Sequence, residues 1–445
     1  MTTPLDHLIV GGGPAGLAHA FWSLRADPSR ELAVLEAADR AGGWVHTLRR
    51  DGFTMELGPQ ALRPTDDLDA FVAAAGLEDV VEAADPAAAI RWIGRGGRLV
   101  RAPSGPGSFL TWPLMSLGGK LRLLREPFVR AAPDREESVA AFAARRFGKQ
   151  TVPLVQAMVR GVFAGDAARL ETSSAFPVLA DAERKHGSVF AGMKALAKER
   201  RAARGGAPRP KRPPLVSFHG GLQTLTERLV AALGDRVRTG HPVARVAQSD
   251  TGWIVTLEDG REFTAAELTL ACPARVAADL LSGVDADLAA ELKGIPFASL
   301  AGVHVALDAA GATPSLAGFG GLLEPGEGRE VLGLLFASAA FPSHAPEGQL
   351  LVRALLGGVD HPRTVERSDE ELLELTERAI RDYTGYRGAV RPLHVGRVRD
   401  AIPQYVPGHG ARLERIRSRV AGLSGLGLIG NSYDAIALTP QLRHP

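Results

Sequence analysis

Leu8-Ile9-Val10 runs directly into Gly11-Gly12-Gly13-Pro14-Ala15-Gly16, and a second apolar run, Leu32 to Leu35, ends at Glu36. A strand, a glycine loop, a helix start and a second strand closed by an acid, in this order, form the layout of a dinucleotide-binding βαβ unit. Each residue type has a physical reason. Gly11 permits the tight turn, Gly13 lets the backbone approach a pyrophosphate, and Gly16 lets helix pack closely on strand. The pyrophosphate then sits at the positive end of the helix, next to Pro14 and Ala15. Glu36 can accept ribose hydroxyl protons, and its charge disfavours a 2'-phosphate, so NADP is set aside and FAD and NAD remain.

A chain of 445 residues with 45% hydrophobic content is too long for one simple core, so two or three domains are expected. Its net charge of +2 is too mild to argue for nucleic acid as a partner. The single cysteine, Cys272, excludes an internal disulfide and a cysteine-rich metal site, and fits a reducing compartment. The histidines show no ligand spacing, so no metal is expected. The first strand begins almost at Met1, which leaves no room for a cleaved signal peptide, and no apolar run is long enough to span a bilayer. The expected location is cytoplasmic, with peripheral contact on the inner face of the cell membrane. The stretch Ser108 to Leu117, followed by Lys120, Arg122 and Arg125, sets aromatic and apolar groups beside cations, as interfacial segments do.

Helical spacing is read at Asp67–Ala75, Ser138–Phe147, Thr151–Phe163, Leu222–Leu233 and Asp369–Thr384, the last opened by a capping box, Ser368 with Glu371. The basic, proline-rich stretch Arg200 to Pro214 reads as an exposed loop. Strands are expected near Val243–Val246, Trp253–Leu257 and Leu268–Ala271, with Asp259-Gly260 as a hairpin turn. Further strands are read at Leu300–Leu307, Val331–Phe336, Leu350–Leu356 and Gly427–Ile429. The predicted architecture is α/β. A doubly wound, Rossmann-like FAD-binding domain is assembled from 1–65, 215–285 and 395–445. An antiparallel-sheet α+β substrate domain takes 66–95 and 286–394, and a helical, membrane-contacting domain takes 96–214.

The run Glu36 to Gly43, with Arg40 and the pair Gly42-Gly43, resembles the second part of the FAD signature of the flavin amine oxidase superfamily, and favours FAD over NAD. Within it, several stretches resemble the protoporphyrinogen oxidase family. They are Gly42-Gly43-Trp44 with His46-Thr47, Glu56-Leu57-Gly58-Pro59 with Arg63-Pro64, and Arg160-Gly161-Val162-Phe163-Ala164-Gly165. Glu183 to Ser188, His219 to Leu222, Phe319-Gly320-Gly321-Leu322 and Ala401 to Tyr405 with Gly408-His409 complete the set.

The resemblance implies an FAD-dependent oxidase that converts a porphyrinogen to a porphyrin in heme biosynthesis. Its partners would be the porphyrinogen, molecular oxygen, a membrane surface and a downstream chelatase. It places Gly11, Gly13, Pro14, Ala15, Gly16 and Glu36 against the cofactor, and adds Arg40, Gly42, Gly43 and Trp44, then Gly58 and Pro59. Val243 would meet the adenine through its backbone, and Ile436, Ala437 and Leu438 the isoalloxazine. Arg63 would hold a substrate propionate, Gly161, Ala164 and Gly165 would be small so that a flat ring can pass, and Phe319, Gly320, Leu322 and Leu355 would form the opposite wall. No side chain is assigned as catalytic, since flavin N5 would accept hydride. His46 stands where the family often has an arginine. The family's final helix is expected to be missing after Gly430-Asn431-Ser432-Tyr433, which would weaken FAD binding. Coproporphyrinogen oxidation, and a silent porphyrin carrier, are the alternative readings. An amine oxidase or polyene desaturase would lack the Arg160 to Gly165 stretch.

Overall fold

The computed structural model describes residues 4–132, 135–203, 205, 211–326 and 330–443. Strands Leu5–Val10 and Leu32–Leu35 are apolar on both faces, as parallel strands covered by helices must be, and they pair in parallel. Helix Pro14–Ala26 connects them. Val237–Arg238, Glu262–Leu270 and Leu426–Leu428 extend this parallel core, and the hairpin strands Val243–Ser249 and Gly252–Leu257 add an antiparallel edge. The result, among the described residues, is a seven-stranded sheet.

A second seven-stranded sheet runs Val390–Pro403, Phe297–Asp308, Gln349–Gly357, Val331–Phe336, Gly320–Leu323, Arg91–Arg95, Arg98–Arg101. It is antiparallel except where Gly320–Leu323 lies parallel to Arg91–Arg95. Helix Asp369–Thr384 covers it through Leu372, Ile380 and Tyr383, and its start carries the expected capping box.

The segment boundaries differ from the sequence-based expectation at four places. Helix Asp66–Ala74 buries Leu68 and Phe71 in the first domain's core, and Val81–Ala83 pairs with Val216–Phe218, so this stretch sits with the cofactor domain. Helix Ala286–Lys293 buries Leu288 and Leu292 in the same domain. Conversely, Arg98–Arg101 and the whole strand Val390–Pro403 belong to the second sheet. Apolar faces chose the layer for the helices and strand pairing for the strands, and neither partner is visible in one dimension. Helix Val189–Ala203 also runs past Arg200, because no proline occurs before Pro208. Most of the remaining basic loop, 204 and 206–210, lies outside the described residues.

The helical insertion is tied together by ions. Arg146 and Glu126 are both fully buried and paired, and Arg145 bridges Glu137 and Glu183. Glu126 also accepts from Ser188 Oγ at 2.7 Å and Val189 N at 2.8 Å. The stretch Glu183 to Ser188, one of those that carried the family resemblance, therefore serves as a structural clamp.

His344 is buried against Phe341, with ring centroids 5.1 Å apart and neither nitrogen hydrogen-bonded. Burial lowers its pKa from 6.5 to about 4. The unfolded chain takes up a proton here before the folded one does. This group's stabilisation is therefore present above pH 6.5 and lost as pH falls through about 4. His344→Phe is expected to stabilise the protein by about 1 kcal/mol at pH 7, since an unsatisfied polar group leaves the core. It should also flatten the acid side of the stability profile, as denaturant unfolding at a series of pH values will report.

Candidate FAD and substrate site

The glycine loop is built as its residue types demand. Gly11 has φ +111°, and a Cβ there would lie 2.7 Å from Ala271 O. A Cβ on Gly16 would lie 2.1 Å from Gly11 O, so helix and turn touch through backbone. Gly13 differs: a Cβ there would meet nothing within 4 Å. Its backbone is open at the N-terminus of helix Pro14–Ala26, where a pyrophosphate would be received. Glu36 lies at the tip of the second strand, its carboxylate accepting from Gly12 N at 2.8 Å and Ala38 N at 2.9 Å. His241 N donates to Glu36 O at 2.9 Å, which lays the segment leading to Val243 alongside this end.

Gly42 N donates to Gly12 O at 2.7 Å, and a Cβ on Gly43 would lie 3.1 Å from Gly13 Cα. A Cβ on Gly58 would lie 1.7 Å from Trp44 O. Close backbone approaches thus link Gly43 to Gly13 and Gly58 to Trp44. A turn closed by backbone contact at Gly11 and Gly16 and open at Gly13 fits a dinucleotide with its pyrophosphate at Gly13. Arg40 takes a different place from the one expected, because its N–H groups donate to Ala41 O, Val45 O and Gly43 O at 2.8, 3.1 and 2.8 Å. It folds the paired-glycine loop.

At the C-terminal side a single helical turn, Leu438–Gln441, stands where the final helix was expected to be missing. Trp22 Nε1 donates to Leu442 O at 2.9 Å and anchors it on the first helix. Leu438 is buried in the cofactor domain, Ala437 is exposed, and Ile436 packs beside Phe163 and Tyr405. Ile436 thereby joins the cofactor domain to the end of helix Val152–Phe163. Gln404 Nε2 donates to Phe163 O at 2.8 Å and holds the same helix end, where Ala164 takes φ +48°.

The substrate residues fall into two groups. Leu322, Gly333 and Leu355 form one cross-strand row, and the helix end lies on it. A Cβ on Gly161 would lie 2.2 Å from Leu322 Cδ2, and Ala164 packs in the cluster that Leu355 borders. At Gly161, therefore, no slot for a flat ring separates helix from sheet, and the small residue is required by close packing. A Cβ on Gly165 would likewise meet Gln404 Oε1 at 2.5 Å. The second group is polar. Phe319 carries the guanidinium of Arg91 over its ring at 4.6 Å, and Gly320 pairs with Arg91 across the sheet. Burial, with the nearby charge of Arg63 second, lowers the Arg91 pKa. Arg63 is exposed and makes no ion pair among the described residues. Two cations with no acid between them are a place for carboxylates. Arg91 was missed in the sequence because nothing local joins it to Phe319.

His46 is half-buried, and burial, then Arg40 and His394, lower its pKa.

A glycine cradle for a dinucleotide, together with a second sheet that carries apolar and cationic groups, defines a two-domain dinucleotide-dependent oxidoreductase. The family described as flavin containing amine oxidoreductase matches residues 14–434. The chain is 31% identical, over 98% of its length and 86% of the relative's, to protoporphyrinogen oxidase 1, chloroplastic, of Arabidopsis thaliana. It is 26% identical to coproporphyrinogen III oxidase of Bacillus subtilis, over 97% of this chain and 94% of that one. A crystal structure of a protein from Exiguobacterium sp. 255-15, provisionally named a protoporphyrinogen oxidase, superposes with TM-score 0.82 at 25% identity, covering 99% of this chain and 97% of that one. This chain belongs to the flavin-containing amine oxidoreductase family, and its cofactor is FAD.

Proposed function

We propose that this protein oxidises a porphyrinogen to a porphyrin, with protoporphyrinogen IX as the favoured substrate. The observation that carries this reading is the cationic corner at Phe319, where the Arg91 guanidinium lies over the ring and the charge of Arg63 is close enough to act on Arg91. A tetrapyrrole is a large apolar ring edged by carboxylates, and such a corner is the complement those carboxylates require. When bound, FAD supplies the electron acceptor: electrons leave the porphyrinogen in pairs, three pairs in all, and three molecules of oxygen become hydrogen peroxide. The protein's part is orientation. Arg91 holds a carboxylate from a guanidinium lying over an aromatic face, while the exposed Arg63 takes a second.

The test is oxygen-dependent porphyrin fluorescence with protoporphyrinogen and coproporphyrinogen side by side. Arg63→Ala and Arg91→Ala are each expected to raise KM roughly tenfold with a smaller change in kcat, the loss of one charge-assisted contact. Unchanged KM in both variants would remove the carboxylate reading. Faster turnover of coproporphyrinogen would move the assignment to that substrate, and a colourless protein that binds porphyrin would move it to a carrier.

We also place this protein peripherally on a membrane. No helix among the described residues is long and apolar enough to cross one. Yet Leu117, Leu121 and Leu124, on one face of helix Leu117–Leu124, are 74, 61 and 58% exposed, and Phe128 is 88% exposed. The cationic rim is smaller than expected, because Lys120 Nζ donates to Leu110 O at 2.7 Å and Arg122 to Arg146 O at 3.1 Å, leaving Arg125 exposed. Apolar insertion then dominates over charge. Co-sedimentation with anionic phospholipid vesicles is expected, surviving moderate salt and abolished by Leu121→Ser with Phe128→Ser. Recovery of the parent in the supernatant at low salt would exclude membrane contact.

A further inference from the structure

The second sheet grips one short piece of the first domain in a way that the family resemblance did not point to. His394, His304 and Arg353 are direct cross-strand neighbours on three adjacent strands. From this row, His304 Nε2 lies 3.0 Å from Glu56 O, Arg353 Nη2 donates to Leu57 O at 2.9 Å, and Arg353 Nη1 donates to Gly58 O at 2.7 Å. Three consecutive carbonyls of the first domain are thus held by two side chains of the second. Space for the guanidinium comes from Gly302, where a Cβ would lie 3.3 Å from Arg353 Nε. From the opposite side the Glu56 carboxylate accepts from Leu222 N at 2.7 Å and Thr47 Oγ1 at 2.9 Å.

A held carbonyl fixes the amide of the same peptide plane, since C=O and N–H of a trans peptide point in opposite directions. The peptide bonds described are all trans. The N–H of Leu57 donates to His46 O at 2.8 Å, and residue 59 is proline, with no N–H. That leaves Gly58 N–H, which Arg353's hold on Leu57 O turns away from the second sheet. It makes no hydrogen bond to any described residue. A half-buried backbone donor that the protein aims and that no described residue uses is open to a ligand.

We propose that Arg353 is a positioning residue that aims the Gly58 amide N–H at the isoalloxazine end of bound FAD, while His304 fixes the preceding peptide through Glu56 O. The proposal rests on the FAD assignment and deepens it. Domain contact and cofactor recognition become one arrangement, because the residues that dock the second sheet also orient the donor.

The experiment compares FAD with ADP, which carries the adenosine and pyrophosphate but no flavin. Both are titrated against the parent and the variants Arg353→Met and Arg353→Lys, with thermal melts alongside. Arg353→Met should weaken FAD about tenfold, the worth of an ordinary hydrogen bond lost with its orientation, shift the visible flavin bands and leave ADP affinity unchanged. Arg353→Lys, which keeps the charge but reaches fewer carbonyls, should fall between. Equal weakening of FAD and ADP, or Arg353→Met with parent-like FAD affinity and spectrum, overturns the proposal. Where Arg353→Met does not fold, Arg353→Lys decides by the same comparison: a selective loss of FAD supports it and no selectivity overturns it. A parent that binds neither ligand fails the FAD assignment itself, a result distinct from either.

Discussion

Gly13→Asp is expected to give a protein that melts at or slightly above the parent temperature and no longer binds FAD. The backbone at Gly13, φ −72° and ψ 177°, suits any residue, and an added Cβ would meet nothing within 4 Å. The position is also the N-cap of helix Pro14–Ala26, which lacks a side-chain cap. An aspartate there gains about 0.3 kcal/mol of helix stability over glycine. The same carboxylate fills the space that a pyrophosphate needs and repels it. Like charges about 4 Å apart near a protein surface cost about 4 kcal/mol, so affinity should fall more than about 100-fold. Gly16→Ala makes the contrast, since its Cβ would lie 2.1 Å from Gly11 O and must disturb fold and cradle together. Flavin fluorescence titration and thermal melting separate the two cases. FAD affinity in Gly13→Asp equal to the parent's would put the pyrophosphate elsewhere.

Arg146→Met is expected to cost about 3–5 kcal/mol of stability, the penalty for leaving a buried charge without its partner. Arg146 and Glu126 have fully buried side chains, and Arg146 also donates to Val129 O at 2.9 Å and Gly187 O at 3.1 Å. Burial opposes ionisation of Glu126, but hydrogen bonds from Ser188, Val189 and Arg146 together hold its pKa below the ordinary value of 4.5. That contribution is present above pH 4.5 and is lost as pH falls through the depressed value. The double variant Glu126→Gln with Arg146→Met should recover part of the loss, because no unpaired ion remains. Denaturant unfolding measures both, and a cost below about 1 kcal/mol for Arg146→Met would show that the charge finds another partner.

The parts of this protein that were legible in one dimension are those whose physics is local. Gly11 at positive φ, Gly16 under Gly11 O, and Glu36 closing the second strand lie within one βαβ unit, so the cradle can be read residue by residue. Ser368 and Glu371 mark the start of helix Asp369–Thr384 for the same reason, since a capping box spans four adjacent residues. FAD over NAD, by contrast, came from resemblance, because spacing alone left both open.

Strand register and layer membership were decided only in three dimensions. Arg91 reaches Phe319, and His304 and Arg353 reach Glu56 to Gly58, only because distant strands pair with one particular offset. A shift of one residue would turn each of these side chains to the opposite face. The same holds for helices Asp66–Ala74 and Ala286–Lys293, whose apolar faces fit more than one core until the sheets are in place. Backbone conformation and capping depend on neighbours in the chain, and so the sequence determined them by itself. Which side chains meet across the two domains depends on how whole sheets pack, and only the tertiary structure could decide it.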